Sequence, residues 1–204
     1  MAKIRYTKNE LKRQKDDLKR FTRYLPTLEL KKMQLIQEIR KIQDRVEELR
    51  ALRDRLEAQI RAWVDVFGET VDWPSLFRFR QILTGEGNIA GIDIPLYEGV
   101  VFEDHPYDLF TTPLWVDRGI EAIKEQIRCW AELQVAERQR QIIEEELRIT
   151  IQRIKLFEEV KIPEARENIR VIQIFMGDQQ TAAVVRGKIA KTKIGRSRQE
   201  AGPV

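Results

Sequence analysis

Cysteine is nearly absent. Cys129 stands alone, which removes any intramolecular disulfide and fits a reducing compartment. Histidine is single too: His105 precedes Pro106 in a loop-like stretch, so a zinc site lacks its ligands. Glycine (10) and proline (7) are sparse among 204 residues, while charged residues reach 34%, against roughly 25% in ordinary globular domains. That mixture excludes a β-sandwich and points to long helices with wide solvated faces. An apolar share of 42% is too high for wholesale disorder. Long hydrophobic runs are missing: the longest uncharged stretch is the eight residues from Leu109 to Val116, where a membrane-crossing helix needs about 20. The N-terminal MAKIRYTKNELKRQ carries no apolar signal-like core. A soluble cytoplasmic protein is expected, with no membrane insertion of its own.

Catalytic signatures are equally scarce. Gly187-Lys188 is followed by Ile189, and no glycine stands five positions before Gly187, so the phosphate-cradling loop of nucleotide hydrolases is absent. GEGN at 85–88 reads as a turn. Cys129 beside Trp130 reads as a packing residue. Glu144, Glu145 and Glu146 fall on a solvated helix face. No cofactor, no metal and no catalysis are expected of this chain.

Charge is small in sum and uneven in placement. Residues 1–24 hold nine basic against three acidic groups, and residues 186–204 hold six against one. Residues 66–117 hold two basic against nine acidic groups. If the two ends lie together, the molecule has a basic pole and an acidic pole.

What the chain has in abundance is heptad spacing. Alternating steps of three and four from Leu11 reach Leu18, Phe21, Leu25, Leu28, Leu35, Ile39, Ile42, Val46, Leu49, Leu56, Ile60, Trp63 and Phe67. Only Gln14, Lys32 and Arg53 interrupt the ladder. A 3.5-residue repeat over about eight heptads specifies a left-handed coiled coil. Such a helix needs a partner for its stripe, and the same chain supplies one. From about Asp117 to beyond Met176, Leu133, Ala136, Ile143, Leu147, Ile154 and Phe157 form one stripe. Ile162, Ala165, Ile169, Ile172 and Met176 form a second, offset by one position, which predicts a phase change near residues 157–162.

Antiparallel pairing follows, and apolar matching suggests residues whose numbers sum to 189. Ile42 then faces Leu147, Val46 faces Ile143, Leu35 faces Ile154 and Leu56 faces Leu133. Pro26 comes level with Pro163 in this register. Each proline removes a helical hydrogen bond, so the pair is a candidate joint in the rod.

The segment between the helices differs in kind. Trp73, Phe77, Phe79, Tyr97, Phe102, Tyr107 and Phe110 give it a small apolar store. Residues 88–103 alternate apolar and polar positions around Pro95 to Gly99, which predicts a β-hairpin turning there. The expected organisation is an N-terminal coiled-coil helix (1–67), a middle capping region (68–116) with the hairpin, a C-terminal coiled-coil helix (117–194) and a disordered tail (195–204). The fold class is mainly α: a long antiparallel two-helix coiled coil with a small middle region. Two classes of function fit these features, a mechanical or scaffolding rod and a nucleic-acid-binding arm that neutralises phosphates with its basic ends. A homo-oligomeric filament is a third. The nucleic-acid reading is weakened by the lack of aromatics interleaved in the basic tail.

Three blocks of sequence carry a resemblance: YTKNELKRQKDDLKRFTRYLPTLELKKMQL (6–35), NIAGIDIP (88–95) and LFEEVKIPEARENIRVIQIFMGDQQTAAVVRGKIAK (156–191). With these the chain resembles the D subunits of V-type ATPases and ATP synthases, particularly the bacterial branch of that family. It departs at Tyr24-Leu25-Pro26-Thr27-Leu28 and in GDQQTAAVVRGKIAK, where better-known relatives differ. The resemblance implies a central-stalk rotor shaft, a non-catalytic component that couples ATP chemistry on other subunits to proton or sodium transport. Its implied partners are the A and B subunits of the hexamer, the F subunit, and the funnel-shaped C (or d) subunit above the membrane ring. It implies a place in the cytoplasm, peripheral to the cell membrane. Lys188, Lys191 and Lys193 are then candidates to face the hexamer, and Ile92, Ile94, Pro95 and Tyr97 to form the membrane-sector side.

Overall fold

The computed structural model describes residues 4–64, 71–108 and 112–200. Phe67 and Phe110 lie outside them, as does the end of the tail, residues 201–204. In chain order the elements are α1 (Lys8–Val64), a short α2 (Trp73–Leu76), β1 (Phe77–Ile89), β2 (Ile92–Asp104), α3 (Val116–Lys155), a π turn (Leu156–Lys161) and α4 (Ile162–Glu200). The fold is therefore mainly helical, with one antiparallel hairpin in the middle. Helix α1 starts at a threonine cap: the Glu10 N–H donates to Thr7 Oγ1 at 3.3 Å, satisfying one of the orphan donors of the first turn. It continues through Pro26, which has no N–H to give. Nearby, Thr22 donates to the Leu18 carbonyl and Thr27 to the Tyr24 carbonyl.

The chain forms two compact units. The first is Leu30–Thr150. Its core packs Leu35, Ile42, Val46, Leu49 and Leu56 of α1 against Cys129, Leu133, Ala136 and Ile143 of α3, with Ile94 of β2. Ile39 and Leu147 pack against this cluster, partly buried. Ion pairs flank the seam. Lys31–Glu146 (2.7 Å) and Arg45–Glu132 (2.6 Å) join residues whose numbers sum to 177. On the other flank, Arg50–Glu137 (2.7 Å) sums to 187. Seam residues midway between the flanks sum to 182, so Val46 stands level with Ala136 and Leu49 with Leu133.

The second unit combines residues 1–29 with 151–204. Ile154, Ile162, Ala165 and Ile172 are buried in it, and Tyr6–Phe175 and Phe21–Phe157 stack across the pair at 5.0 and 5.2 Å between ring centroids. Asn168 Nδ2 donates to Gln14 Oε1 at 3.3 Å, again a sum of 182. The register expected from apolar matching, 189, is therefore one heptad away from the one the molecule adopts. Heptads repeat every seven residues, so hydrophobic pattern alone does not separate the two. Within this second unit Pro163 stands level with Lys19, and Pro26 stands level with Leu156, at the start of the π turn. The two prolines do not meet.

The one-position offset between the apolar stripes coincides with the π turn Leu156–Lys161, in which the Ile162 N–H donates to the Phe157 carbonyl five residues back. A π turn holds one extra residue, which is the count the offset requires. Beyond it, α4 passes through Gly177, Gly187 and Gly195 to Glu200. Residues 195–200 are thus helical, where a disordered tail was expected. Each glycine costs about 1 kcal/mol of propensity, and the Ala, Arg, Lys and Gln around them offset it.

The hairpin also differs from expectation. Its strands run Phe77–Ile89 and Ile92–Asp104, and its turn is Ala90-Gly91, not Pro95–Gly99. Both turn residues have positive φ, 53° and 78°, the left-handed pair whose twist matches the flanking strands. Asn88 braces it: its side-chain oxygen accepts from the Gly91 N–H at 3.0 Å, and its amide donates to Asp93 at 2.7 Å. Pro95 sits inside β2 opposite Glu86, tolerated because both strands of a two-stranded sheet are edges. Gly99, at φ 152°, marks a bulge: Leu83 pairs with Gly99 but Thr84 pairs with Tyr97, so Glu98 is the extra residue. Near the strand ends, Leu76, Phe77, Val116 and Ile120 form a second small core with Trp73, Phe102 and Trp115 around it. Lys124 lies 5.5 and 5.6 Å over the Phe77 and Phe102 rings.

Two measurements check this architecture. In a Cys129→Ala background, Gln14→Cys with Asn168→Cys should oxidise to an intramolecular crosslink. Ile42→Cys with Leu147→Cys should not, because a heptad of displacement separates them by about 10 Å along the axis; the reverse outcome rejects the register of 182. Separately, Ala90→Asn should raise the melting temperature, since asparagine accepts the left-handed conformation that costs other residues about 1–2 kcal/mol. A lowered value would reject the turn.

Candidate functional site

Among the described residues no group of three or more His, Cys, Asp or Glu side chains is arranged to hold a metal ion. Cys129 is buried, and its Sγ donates to the Leu49 carbonyl at 3.4 Å. Burial pushes the thiol above its ordinary pKa, with the Glu132 carboxylate adding to the effect, so the nucleophilic thiolate is disfavoured. The surface recesses among the described residues are shallow: one lies on a single helix beside Asp54, Glu57 and Arg61, and another lies between two helices, beside Asp17, Phe21, Lys161 and Glu164. The candidate site is therefore a surface, and two stretches stand out.

The first is the last part of α4. Residues 177–196 are exposed apart from half-buried Ala182, since α1 begins at Lys8 and the pairing runs out near Phe175. This stretch nevertheless carries Val184 (58% exposed), Val185, Ile189 (54%) and Ile194 (57%) beside Arg186, Lys188, Lys191, Lys193 and Arg196. At about 100° per residue, Val184, Lys188 and Lys191 share one face, while Arg186 and Lys193 share roughly the opposite one. Val185 and Ile189 lie to one side between them, and Ile194 to the other. Lys188 and Lys191 are thus together and Lys193 is apart. Apolar and basic side chains occur on every side of the helix.

The second stretch is the hairpin. Ile92 is half-buried and Ile94 buried against the helices, and the Gln139 side chain donates to the Pro95 carbonyl at 2.5 Å. Tyr97 is half-buried, and burial together with Glu132 raises its pKa. Ile94 is therefore spent on the internal core. The large apolar side chains that the hairpin exposes are Phe79, Leu83 (39%) and Leu96 (43%). Phe79 and Leu83 escape a reading that starts the first strand at Asn88. The alternation in Phe77-Arg78-Phe79-Arg80 is the signal that extends the strand upstream.

Of the seam residues, Leu35, Ile42, Val46, Leu49, Leu56 and Ile143 come together in one core, with Ile39 and Leu147 against it. Ile154 is buried in the other unit. No helix among the described residues is long and apolar enough to cross a membrane.

Comparison with known proteins points to one family. The sequence profile of the ATP synthase D subunit matches residues 10–192. The V-type ATP synthase D subunit of Borreliella burgdorferi is 46% identical over 194 residues, covering 95% of this chain and 96% of that protein. The V-type ATP synthase D subunit of Chlamydia felis is 32% identical, covering 98% and 97%. That of Chlamydia caviae is 29% identical at the same coverage. Matched along nearly its whole length by proteins of one kind, the chain belongs to the family of ATP synthase D subunits.

Proposed function

We propose that the chain is the central-stalk shaft of a V-type ATP synthase, passing torque between a catalytic hexamer of A and B subunits and the ion-carrying ring in the membrane. The observation that carries this reading is the unpaired end of α4. A helix with one apolar stripe docks on one face; exposed apolar side chains spread around the helix among basic ones suit contact with other protein on more than one side. Val184, Val185, Ile189 and Ile194 point around the whole circumference, with basic residues interspersed, as suits a shaft tip enclosed by a collar of subunits. Lys188, Lys191 and Lys193 would meet acidic or carbonyl-rich surfaces of that collar.

ATP chemistry then resides in the A and B subunits, and this chain acts by geometry. A shaft with unlike faces inside a ring of similar subunits contacts each differently. Those differential contacts shift each subunit's open–closed equilibrium in turn. The F subunit would bind along the helical pair. The funnel-shaped C (or d) subunit would receive the hairpin, whose strands carry Glu86, Asp93, Glu98, Glu103 and Asp104. The complex would sit on the cytoplasmic side of the membrane, with this chain peripheral to it and free of direct insertion.

Co-purification with the A, B and F subunits, followed by multi-turnover ATPase assay, tests the reading. Reversing charge at Lys188, Lys191 and Lys193 together should lower assembly or coupled ATPase activity at least tenfold. Unchanged assembly and coupling would remove the role given to these lysines, and a shifted labelled oligonucleotide in place of co-purification would favour a nucleic-acid arm. For the hairpin end, deletion is a poor probe because Ile89, Ile92 and Ile94 complete the core. Leu83→Asp with Leu96→Asp leaves that core intact. It should preserve ATP hydrolysis and reduce ion pumping, whereas full pumping would place the membrane-side contact elsewhere.

A further inference from the structure

The π turn and the two prolines have a physical consequence for how one unit of the chain responds to twist. Within the unit of residues 1–29 and 151–204, the turn Leu156–Lys161 contains no buried residue. Firmly packed positions flank it: Ile154 on one side, Ile162 and Ala165 on the other. Leu156 (44%) and Val160 (47%) face outward. Pro163 follows directly. In an α-helix a proline at this position would lack the N–H for the Glu159 carbonyl, and its ring would press against that carbonyl. A widened turn relieves the clash and takes up the inserted residue, so one local distortion answers both demands. On the facing helix Pro26, level with Leu156, leaves the Thr22 carbonyl without its helical donor. Both strands of the pair are therefore short of backbone hydrogen bonds at one level. Near that level the Phe21 and Phe157 rings pack across the pair at 5.2 Å between centroids.

We infer that this level, the π turn Leu156–Lys161 facing Pro26, is a compliant element built into the helical pair, which twists and opens there more readily than on either side. Its compliance comes from one inserted residue in the turn, made permanent by Pro163. Rigid helical pairs resist twist through continuous backbone bonding and continuous knobs-into-holes packing; here the α-helical bonding is interrupted and no side chain of the turn is fully buried. Local opening is drawn from segments with few buried apolar contacts, which describes the turn.

Hydrogen exchange on the full chain alone tests the inference. The amides of Glu158–Ile162 should exchange at least tenfold faster than those of Ala165–Ile172. Equal rates would overturn the proposal without any variant. Deleting Glu159 together with Pro163→Ala removes the extra residue and restores the donor. Exchange at this level should then slow at least tenfold and the melting temperature should rise. Unchanged exchange, or loss of helical signal, would overturn it, since the inference requires that the shortened chain form one continuous helix. A last readout rests on the rotary reading given above: in the assembled complex, a probe on the deletion variant should show narrower thermal angular fluctuation. Failure to assemble would count against the rotary reading and leave the exchange result standing, which separates the two.

Discussion

A helix of 57 residues with an apolar stripe along its length is stable in water only where something covers that stripe. Every other feature of the chain answers this constraint. The second helical segment supplies the cover, the hairpin adds Ile89, Ile92 and Ile94 to the same core, and the charged residues take the faces left in solvent. Where cover runs out, beyond Met176, the remaining apolar side chains call for another protein. The functional reading grows from that shortfall, in a chain that belongs to the family of ATP synthase D subunits.

Coverage alone does not say which residue meets which. Seam positions can slide by a heptad and still match apolar to apolar, so Ile42 with Leu147 is as good a pairing on hydrophobic grounds as the one observed. The polar interruptions break the tie. At a sum of 189, Gln14, Lys32 and Arg53 would stand level with Phe175, Phe157 and Ala136. At 182 they stand level with Asn168, Thr150 and Cys129. The first of these matches is a hydrogen bond, and Arg53 lies close enough for its charge to act on Cys129. Flanking pairs such as Arg45–Glu132 reinforce the choice, as e and g charges do in other coiled coils. The information was in the sequence, carried by the residues that looked like defects.

Legibility elsewhere followed the strength of local rules. Helix content and the phase change near residue 157 were readable because periodicity is a long-range average over many positions. The hairpin's existence was readable from alternation, but its turn was misplaced. Pro95 and Gly99 are strong turn residues in general, yet here they occupy an edge strand and a bulge. The actual turn has Ala90 at positive φ, a residue that gives no warning of it, and Asn88 and Asp93 do the bracing. For the candidate surfaces, the composition of Lys188, Lys191 and Lys193 was visible at once. Their distribution around the helix became meaningful only once that stretch was seen to lack a partner, and the burial of Ile94 could not be inferred from alternation alone.

The separation along the chain of residues that touch also sets an order of assembly. Cys129 reaches Leu49 across 80 residues, while Asn168 reaches Gln14 across 154. Loop closure costs about 0.6 kcal/mol less for the nearer contact, which favours closing the seam at Leu49 and Cys129 first. Along the chain α3 follows α1 by about fifty residues, so the cover for the α1 stripe is made after the stripe itself. The seam beside α4 carries the larger closure cost.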